Sequence, residues 1–405
     1  MSVWKFLHAA DLHLDSPLRG LESGEAPAEE IRGASRRALG RLVDLALAEP
    51  VALVLIAGDI FDGDWPDLGT GLYFRDQMRR LAEAGIAVVA VRGNHDAQNR
   101  ISRAVELPIT LLHAARVQSH AFPELGAVVH GQSYAERDGA GIDPGSWPAA
   151  VPGMLNIGLL HTCLEQSGGV HARYVPCTRA TLEGRGYDYW ALGHIHARQV
   201  VAERPWIVFP GNLQGRDVNE TGPKGATLVT VADGRIAAVE ARVLDLFRWA
   251  RPEVDLSGAT GEATALVRVQ QALAAAWEEA GRRPMGMRLR LAGRTAVHGA
   301  HTAAGWREAA AGEAAQISPQ IWVEGVEPAT APLTPPLEGR ADALGALARR
   351  IAALAETGAV PELEPWLGQM RESLPELPPD HPLHDPGRLL AQARDLLLAR
   401  LAGEG

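Results

Sequence analysis

Two short stretches of the chain pair metal-binding side chains two residues apart. Asp11 and His13 flank a leucine, and His194 and His196 flank an isoleucine. Residues two apart in extended chain point to the same side, so each pair can direct two ligand atoms at one point. Carboxylates and imidazoles both bind divalent transition metals. An isolated Asp-x-His triplet is usually a surface feature, but the two pairs together indicate a metal site.

Three further motifs carry the same kinds of side chain. They are Gly58-Asp59-Ile60-Phe61-Asp62, Gly93-Asn94-His95-Asp96 and His161-Thr162. Taken alone, Gly-Asn-His-Asp could be an ordinary turn, because glycine, asparagine and aspartate favour turns. Five such motifs in order, each at the end of an apolar run, instead predict a single site with two metal ions.

The ligand types can be divided between two ions. Divalent ions about 3.5–4 Å apart share a bridging group, and Asp59 is the predicted bridging carboxylate. The remaining predicted ligands are Asp11, His13 and His196 for one ion, and Asn94, His161 and His194 for the other. Mixed oxygen and nitrogen donors favour Mn, Fe or Zn over Mg. A hydroxide bridging the two ions is the predicted nucleophile.

Three residues beside these ligands are predicted to assist catalysis. His95 follows the ligand Asn94, so its imidazole can face the substrate and act as a general acid. Asp62 and Asp96 are predicted to orient neighbouring imidazoles through hydrogen bonds.

Alternating apolar runs and amphipathic stretches must position these motifs. Over residues 1–245 the pattern predicts strands at residues 3–9, 51–57, 87–91, 127–131, 155–160, 187–192, 206–209, 226–231 and 236–243, with helices at residues 28–48 and 69–84. This alternation predicts a layered α/β sheet sandwich flanked by helices. Ligands bind beyond the carboxyl ends of strands in such folds, which is where the five motifs fall.

The remainder of the chain has a different pattern. Residues 250–326 predict a small α+β module with helices at residues 261–280 and 302–314 and strands at residues 287–292 and 320–324. Residues 328–336 are rich in proline, alanine and threonine and indicate a linker. Residues 337–405 predict helices at residues 339–356, 362–373 and 386–401. The last helix has a leucine stripe typical of core packing or of a partner-docking face.

Composition limits the class of protein. Asp and Glu outnumber Lys and Arg by 49 to 39, a formal net charge of −10, which is unlike a stand-alone nucleic-acid binder. Cys163 and Cys177 are the only cysteines, and no signal-peptide or membrane-spanning pattern is present. These features predict a cytoplasmic protein with no membrane association.

The motif series resembles the calcineurin-like metallophosphoesterase superfamily over residues 1–245. Asp62 precedes Gly63-Asp64, whereas the Ser/Thr phosphatase branch usually carries Arg-Gly there. The stretches AADLHLDSPL at residues 9–18, PGNLQGR at residues 210–216 and ETGPKG at residues 220–225 are similar to the DNA-repair exonuclease branch, namely YhaO-like proteins related to the SbcD nuclease subunit.

The later stretches also suggest where substrate binds. Glycine N–H groups with Asn212, Arg216 and Lys224 would form a cradle for a phosphodiester. A plain connecting turn is the alternative interpretation of this loop.

The resemblance implies an activity and partners. It implies Mn-dependent hydrolysis of DNA phosphodiesters from ends, a DNA-contacting cap at residues 250–326, and an SMC-like coiled-coil ATPase that docks on the C-terminal helices. A homodimer is compatible with the sequence. The acidic balance favours one alternative, a small-molecule phosphodiesterase or phosphatase. A non-catalytic scaffold is a third hypothesis, which the intact set of seven predicted ligands disfavours.

Overall fold

The chain folds into two compact units. The computed structural model describes residues 3–14, 16, 33–62, 68–97, 106–164, 175, 177–333, 341–356 and 364–373, with isolated positions between 387 and 397. The first unit comprises Met1–Ala250 with Arg283–Met285, and the second comprises Arg251–Arg282 with Gly286–Gly405. The small module and the C-terminal helices therefore share one unit. The three-part division expected from the sequence stays a prediction.

Two six-stranded sheets form the centre of the first unit. In chain order the strands are β1 (Val3–Ala9), β2 (Leu53–Ala57), β3 (Ala87–Val91), β4 (Thr110–Leu111), β5 (Gln118–Phe122), β6 (Ala127–Gly131), β7 (Leu155–His161), β8 (Tyr189–Gly193), β9 (Gln199–Glu203), β10 (Trp206–Phe209), β11 (Gly225–Ala232) and β12 (Arg235–Val243). The first sheet has the order β12-β11-β1-β2-β3-β4, and the second has the order β5-β6-β7-β8-β10-β9. Their central strands pair in parallel, which explains why the sequence shows them as unbroken apolar runs.

The sheets pack against each other through one apolar layer. Phe6, Leu55 and Val89 of the first sheet lie in the same buried cluster as Ile157 and Tyr189 of the second. Alternate residues of each strand point into this layer, as the period of two requires. This arrangement confirms the predicted α/β sheet sandwich.

Helices cover the other face of the first sheet. They are α1 (Ala34–Ala48) and α2 (Leu68–Glu83). Leu39 and Leu42 of α1, with Phe74 and Met78 of α2, are buried in one cluster with Val54 of β2. The spacing of three to four residues places these side chains on one side of each helix. The helices therefore fix the sheet whose strand ends carry the first three motifs.

Parallel pairing brings the motif-bearing strand ends together. Ala57 at the end of β2 lies opposite Val91 at the end of β3, and His161 at the end of β7 lies opposite Gly193 at the end of β8. The motifs that follow these strands thus emerge at the same edge of their sheets.

The structure also departs from the predicted elements of the first unit. Strand β2 begins at Leu53 rather than residue 51, and the short α3 (Arg179–Glu183) and strands β4, β5 and β9 were not predicted. Strands β5 and β9 have only one buried residue each, so their hydrophobic alternation is weak. Residues 28–32, at the start of the helix predicted for residues 28–48, lie outside the described residues.

The second unit contains a smaller sheet with helices. In chain order its elements are β14 (Glu253–Asp255), α4 (Glu262–Glu279), β15 (Met285–Thr295), α5 (Ala303–Ile317), β16 (Ile321–Pro332), α6 (Ala343–Glu356) and α7 (Glu364–Ser373), and β13 (Arg248–Ala250) precedes them in the first unit. Strand β15 pairs with β14 and β16. The predicted linker at residues 328–336 is wrong in its first part, because strand β16 extends to Pro332. Most of the predicted helix at residues 386–401 lies outside the described residues.

None of the described helices is both long enough and apolar enough to cross a membrane.

The layer between the two sheets should dominate the stability of the first unit. Leu55 is fully buried there, so Leu55→Ala should lower the free energy of unfolding by about 2–5 kcal/mol. The matched control Leu72→Ala, at a position 40% exposed on α2, should change it by less than about 0.5 kcal/mol. Denaturant unfolding of both variants measures the difference, and equal losses would contradict this assignment of the core.

Candidate metal centre

Backbone hydrogen bonds join the loop after β1 to the loop after β2. The N–H of Asp11 donates to the carbonyl of Gly58 at 3.0 Å, and the N–H of His13 donates to the carbonyl of Asp59 at 3.0 Å. The parallel pairing of the two strands thus continues beyond their ends. As a result, the first two motifs are held at a fixed separation.

Four predicted ligands have an unusual backbone conformation. The φ angles are +51° at Asp11, +39° at His13, +52° at Asp59 and +101° at His194. Positive φ is uncommon outside glycine, costs about 1–3 kcal/mol for such residues and concentrates at functional sites. The strain therefore falls on the residues that the sequence analysis assigned to the metal ions.

Glycine allows the loops of the two sheets to approach closely. A Cβ atom on Gly58, whose φ is +87°, would lie 2.6 Å from Nδ1 of His161. Any side chain at this position would displace that imidazole, so the glycine before Asp59 is needed for close packing as well as for the turn.

The predicted ligands of the first ion converge on one point. One ligand atom from each of Asp11, His13 and His196 lies within 4.8 Å of the others. Nε2 of His13 is 3.3 Å from Nε2 of His196, which is 3.7 Å from Oδ1 of Asp11. Facing ring nitrogens and a carboxylate oxygen are an arrangement that a cation stabilises.

His161 presents a lone pair at the second position. Its Nδ1 donates to the carbonyl of Ala57 at 2.9 Å, so Nε2 is the acceptor in the neutral ring. Nε2 lies 2.9 Å from Oδ1 of Asn94 and 3.4 Å from Oδ2 of Asp59. Burial opposes protonation, but the Asp59 and Asp11 carboxylates outweigh burial and raise the pKa of His161 to about 9. The field that attracts a proton to this nitrogen would equally attract a metal ion.

His194 joins this arrangement from the loop after β8. Its ring centroid is 5.2 Å from that of His161, and its backbone N–H donates to Oδ2 of Asp11 at 3.0 Å. It is outside the three Asp/His groups whose ligand atoms lie within 4.8 Å of one another. Its assignment as a ligand of the second ion stays a prediction.

Asp59 lies between the two sets of ligands. Its Oδ2 is 3.8 Å from Nε2 of His13 and 3.4 Å from Nε2 of His161, and its Oδ1 accepts the N–H of His95 at 2.9 Å. Burial opposes ionisation of Asp59, but the neighbouring imidazoles outweigh it and hold its pKa below the usual range. This position and charge fit a carboxylate shared by two divalent ions.

Asp62 connects two imidazoles at the edge of the site. Its Oδ1 is 3.1 Å from Nδ1 of His95 and 3.4 Å from Nδ1 of His13. The hydrogen bond to Asp62 raises the pKa of His95 above its ordinary value, although partial burial opposes the shift. Ser16, which the sequence analysis did not single out, donates to Oδ2 of Asp62 at 2.6 Å.

The prediction that Asp96 orients an imidazole is wrong. Its carboxylate accepts backbone N–H groups from Ile60 at 3.0 Å, Phe61 at 2.9 Å and Gly93 at 3.1 Å. Burial and then the nearby Asp59 charge raise the pKa of Asp96 to about 6. Asp96 therefore fixes the loops after β2 and β3 to each other and acts on the site through the backbone.

The predicted substrate contacts differ in accessibility. Asn212 is fully buried and Lys224 is 7% exposed, with the Lys224 ammonium donating to the carbonyl of His196 at 2.8 Å. These two residues hold the loop together, which contradicts their predicted contact with substrate. The Arg216 side chain is 23% exposed, and its Nη1 lies 3.8 Å from Oδ1 of Asp62. Of the three, Arg216 alone combines exposure with proximity to the site.

Glu220 is a site residue to which the sequence analysis gave no role. Its Oε1 lies 2.6 Å from Nδ1 of His196. Burial opposes its ionisation, but His196 and Arg216 outweigh burial and hold the pKa of Glu220 well below its usual range. Its position in the ETGPKG stretch was the available signal, but nothing in the spacing indicated which imidazole it would meet.

Comparison with known proteins agrees with this geometry. Residues 5–198 match the family described as calcineurin-like phosphoesterase, and residues 249–331 match the family described as metallophosphoesterase YhaO, middle domain. The chain is 37% identical over 261 residues to "Uncharacterized metallophosphoesterase YhaO" of Bacillus subtilis. The aligned region covers 63% of this chain and 64% of that protein.

More distant relatives carry a DNA-repair name. The chain is 24% identical over 216 residues to "DNA double-strand break repair protein Mre11" of Methanopyrus kandleri, covering 47% of this chain and 44% of that protein. For the protein of the same name in Aeropyrum pernix the identity is 26% over 277 residues, covering 62% and 64%. The matches span less than two thirds of the length of these curated relatives. Residues 5–198 therefore form a calcineurin-like metallophosphoesterase domain, and the chain is similar to YhaO and, more distantly, to Mre11 repair proteins.

Proposed function

We propose that this chain is an exonuclease that hydrolyses DNA phosphodiester bonds with two divalent metal ions and acts in DNA repair. The observation that carries the proposal is the convergence of carboxylates and imidazoles from separate loops at one edge of the two sheets. The metallophosphoesterase family match supports hydrolysis of a phosphoester. The relatives named as DNA double-strand break repair proteins support DNA as the substrate.

In this proposal the ligands predicted from the sequence hold the ions. Asp11, His13 and His196, which lie together, would hold one ion. Asn94, His161 and His194 would hold the other, with Asp59 as the carboxylate common to both sets. Two such ions supply Lewis acidity toward a phosphoryl oxygen and a hydroxide nucleophile near neutral pH. Donor sets that mix imidazole with oxygen support Mn as the ion, with Fe and Zn as the next candidates.

His95 is the proposed proton donor to the leaving oxygen. Asp62 holds Nδ1 of His95 at 3.1 Å and favours the charged ring, which leaves the other ring nitrogen for proton transfer. The His95 side chain is 29% exposed, so a substrate can reach it. Arg216, which is anchored beside Asp62, is the proposed contact to a non-bridging phosphate oxygen.

A small-molecule phosphodiesterase or phosphatase is the second candidate. The observation that favours it is the scarcity of positive charge for a long polyanion. The chain has a net charge of −10, and two of its three predicted phosphate contacts, Asn212 and Lys224, are buried. A nuclease with this charge would depend on a partner for much of its contact with DNA.

We also propose an SMC-like coiled-coil ATPase as that partner, docked on the C-terminal helices. Trp366 and Met370 of α7 are 68% and 48% exposed, and their spacing of four residues places them on one face of the helix. Exposed apolar side chains grouped in this way are typical of a helix that docks on another protein.

Digestion of end-labelled linear DNA tests the proposed function. The purified full chain is incubated with Mn²⁺ and single- or double-stranded DNA, with bis(p-nitrophenyl) phosphate as a generic phosphodiester. Loss of label from DNA is the expected result. Hydrolysis of the generic ester and of nucleotides, with DNA intact in the presence and absence of an SMC-like ATPase, would instead establish the second candidate.

Removal of the bridging carboxylate should empty both metal positions. Asp59→Ala leaves His13 and His161 without their shared anion, so we expect metal content to fall from two ions per chain to none, together with activity. Elemental analysis after dialysis against Mn²⁺ measures the content. Asp44→Ala, an exposed site on α1, is the matched control. Two retained ions in Asp59→Ala would rule out a bridging role.

Loss of the proposed proton donor should affect turnover and spare the metals. His95→Ala should retain two ions per chain and lower kcat by about 10²–10⁴-fold, the usual contribution of a positioned acid. The exposed His113 provides the control variant His113→Ala. If His95→Ala lost an ion instead, His95 would be a ligand and the assigned roles would be incorrect.

The proposed docking face can be altered without touching the metal site. In the full chain, Trp366→Ala should weaken binding to an SMC-like ATPase by about 30-fold or more, as expected for a central aromatic contact, and leave metal content unchanged. Leu68→Ala, an exposed apolar position on α2, serves as the control. Affinity measured by biolayer interferometry that is equal in the two variants would place the ATPase elsewhere.

A further inference from the structure

The Glu220 carboxylate makes five contacts with neighbouring groups. Oε1 lies 2.6 Å from Nδ1 of His196 and 3.2 Å from both Nε and Nη2 of Arg216. Oε2 accepts the side-chain N–H of Asn212 at 2.7 Å and the backbone N–H of Arg216 at 2.7 Å. The side chain is only 11% exposed, so these protein contacts replace water. The carboxylate is thereby fixed with one oxygen directed at the His196 ring.

This contact determines which ring nitrogen of His196 carries the hydrogen. An ionised carboxylate can only accept, so the nitrogen 2.6 Å from it must donate. Nη2 of Arg216 also lies 3.3 Å from the same nitrogen, but it too can only donate, and its shorter contact of 3.2 Å is with Glu220. Nδ1 of His196 therefore carries the hydrogen. Nε2 then presents its lone pair toward His13 and Asp11.

Two further imidazoles of the site have an oxygen beside Nδ1. Nδ1 of His161 donates to the carbonyl of Ala57 at 2.9 Å, and Nδ1 of His13 lies 3.4 Å from Oδ1 of Asp62. Both rings thus have an oxygen on the Nδ1 side and direct Nε2 inward. Acceptors of this kind set the tautomer and orientation of metal-binding histidines.

We propose that Glu220 is a positioning residue that holds His196 in its metal-binding tautomer and thereby controls loading of the ion bound by Asp11, His13 and His196. The inference rests on the proposed function, because it requires His196 to be a ligand. Glu220 also anchors Arg216 through three hydrogen bonds, so the loop that supplies the proposed phosphate contact is tied to the same metal position.

Glu220→Gln tests the proposal with little change in shape. The amide has one acceptor oxygen, so it cannot serve the donors at both carboxylate positions. When that oxygen accepts from Asn212 and from the backbone N–H of Arg216, the amide NH₂ faces His196. A donor there requires Nδ1 to accept, which moves the hydrogen to Nε2 and removes the ligand lone pair. Titration of the metal-free full chain with Mn²⁺ by calorimetry should show one ion bound about 10–100-fold more weakly and the other unchanged.

A second glutamate–histidine pair provides the matched control. Oε1 of Glu262 lies 3.2 Å from Nε2 of His301 in the second unit, with the glutamate 57% exposed. Glu262→Gln should bind both ions with the affinities of the unaltered chain. If Glu220→Gln does the same, the proposal is overturned.

The tautomer can also be measured in the unaltered protein, which does not depend on folding of a variant. ¹⁵N-histidine NMR of the Zn-loaded chain, with His196→Gln used to assign the signal, should show a hydrogen on Nδ1 of His196. A hydrogen on Nε2 would overturn the proposal. If the unaltered chain binds no pair of ions, the proposed function itself fails; if it binds two and Glu220→Gln is unaffected, only the role of Glu220 fails.

Discussion

The site depends on the buried carboxylate of Asp59, which the first sheet presents to imidazoles of both sheets. Its Oδ2 lies 3.4 Å from Nε2 of His161, which ends a strand of the second sheet, and 3.8 Å from Nε2 of His13 on the first. A buried charge is stable only when it is paired or bound to a cation. The packing of the two sheets therefore affects the charge balance of the centre. The strand ends must lie close together for the negative charge of Asp59 to be paired with the imidazoles.

Backbone geometry keeps that meeting point rigid. Hydrogen bonds continue from the paired strands into the loops, and Asp96 binds three backbone N–H groups from the loops after β2 and β3. The left-handed conformations of Asp11, His13 and Asp59 are maintained by this framework. Because such strain persists only where the surroundings enforce it, the packed sheets and helices are what allow ligand atoms to converge.

Hydrogen-bond acceptors outside the ligand set complete the arrangement. A carbonyl accepts from Nδ1 of His161, and Glu220 accepts from Nδ1 of His196, while Oδ1 of Asp62 lies 3.4 Å from Nδ1 of His13. Each ring thus directs Nε2 toward the centre. Neutral imidazole with one nitrogen committed to an acceptor is the form that binds a metal. Two residues of the predicted phosphate cradle also support His196 and its acceptor. Asn212 donates to Glu220, and Lys224 donates to the carbonyl of His196.

The sequence by itself determined the sheet sandwich and the clustering of Asp11, His13, Asp59, His161 and His196. Strands buried on both faces appear as unbroken apolar runs, and the carboxyl ends of parallel strands share an edge, so motifs at those ends must meet. Exposed strands such as β5 and β9 lack that signal. Tertiary structure alone decided the roles of Asp96, Lys224, Ser16 and Glu220. The reason is that a polar side chain takes its role from whichever donor or acceptor lies within about 3 Å, a distance that sequence spacing does not specify.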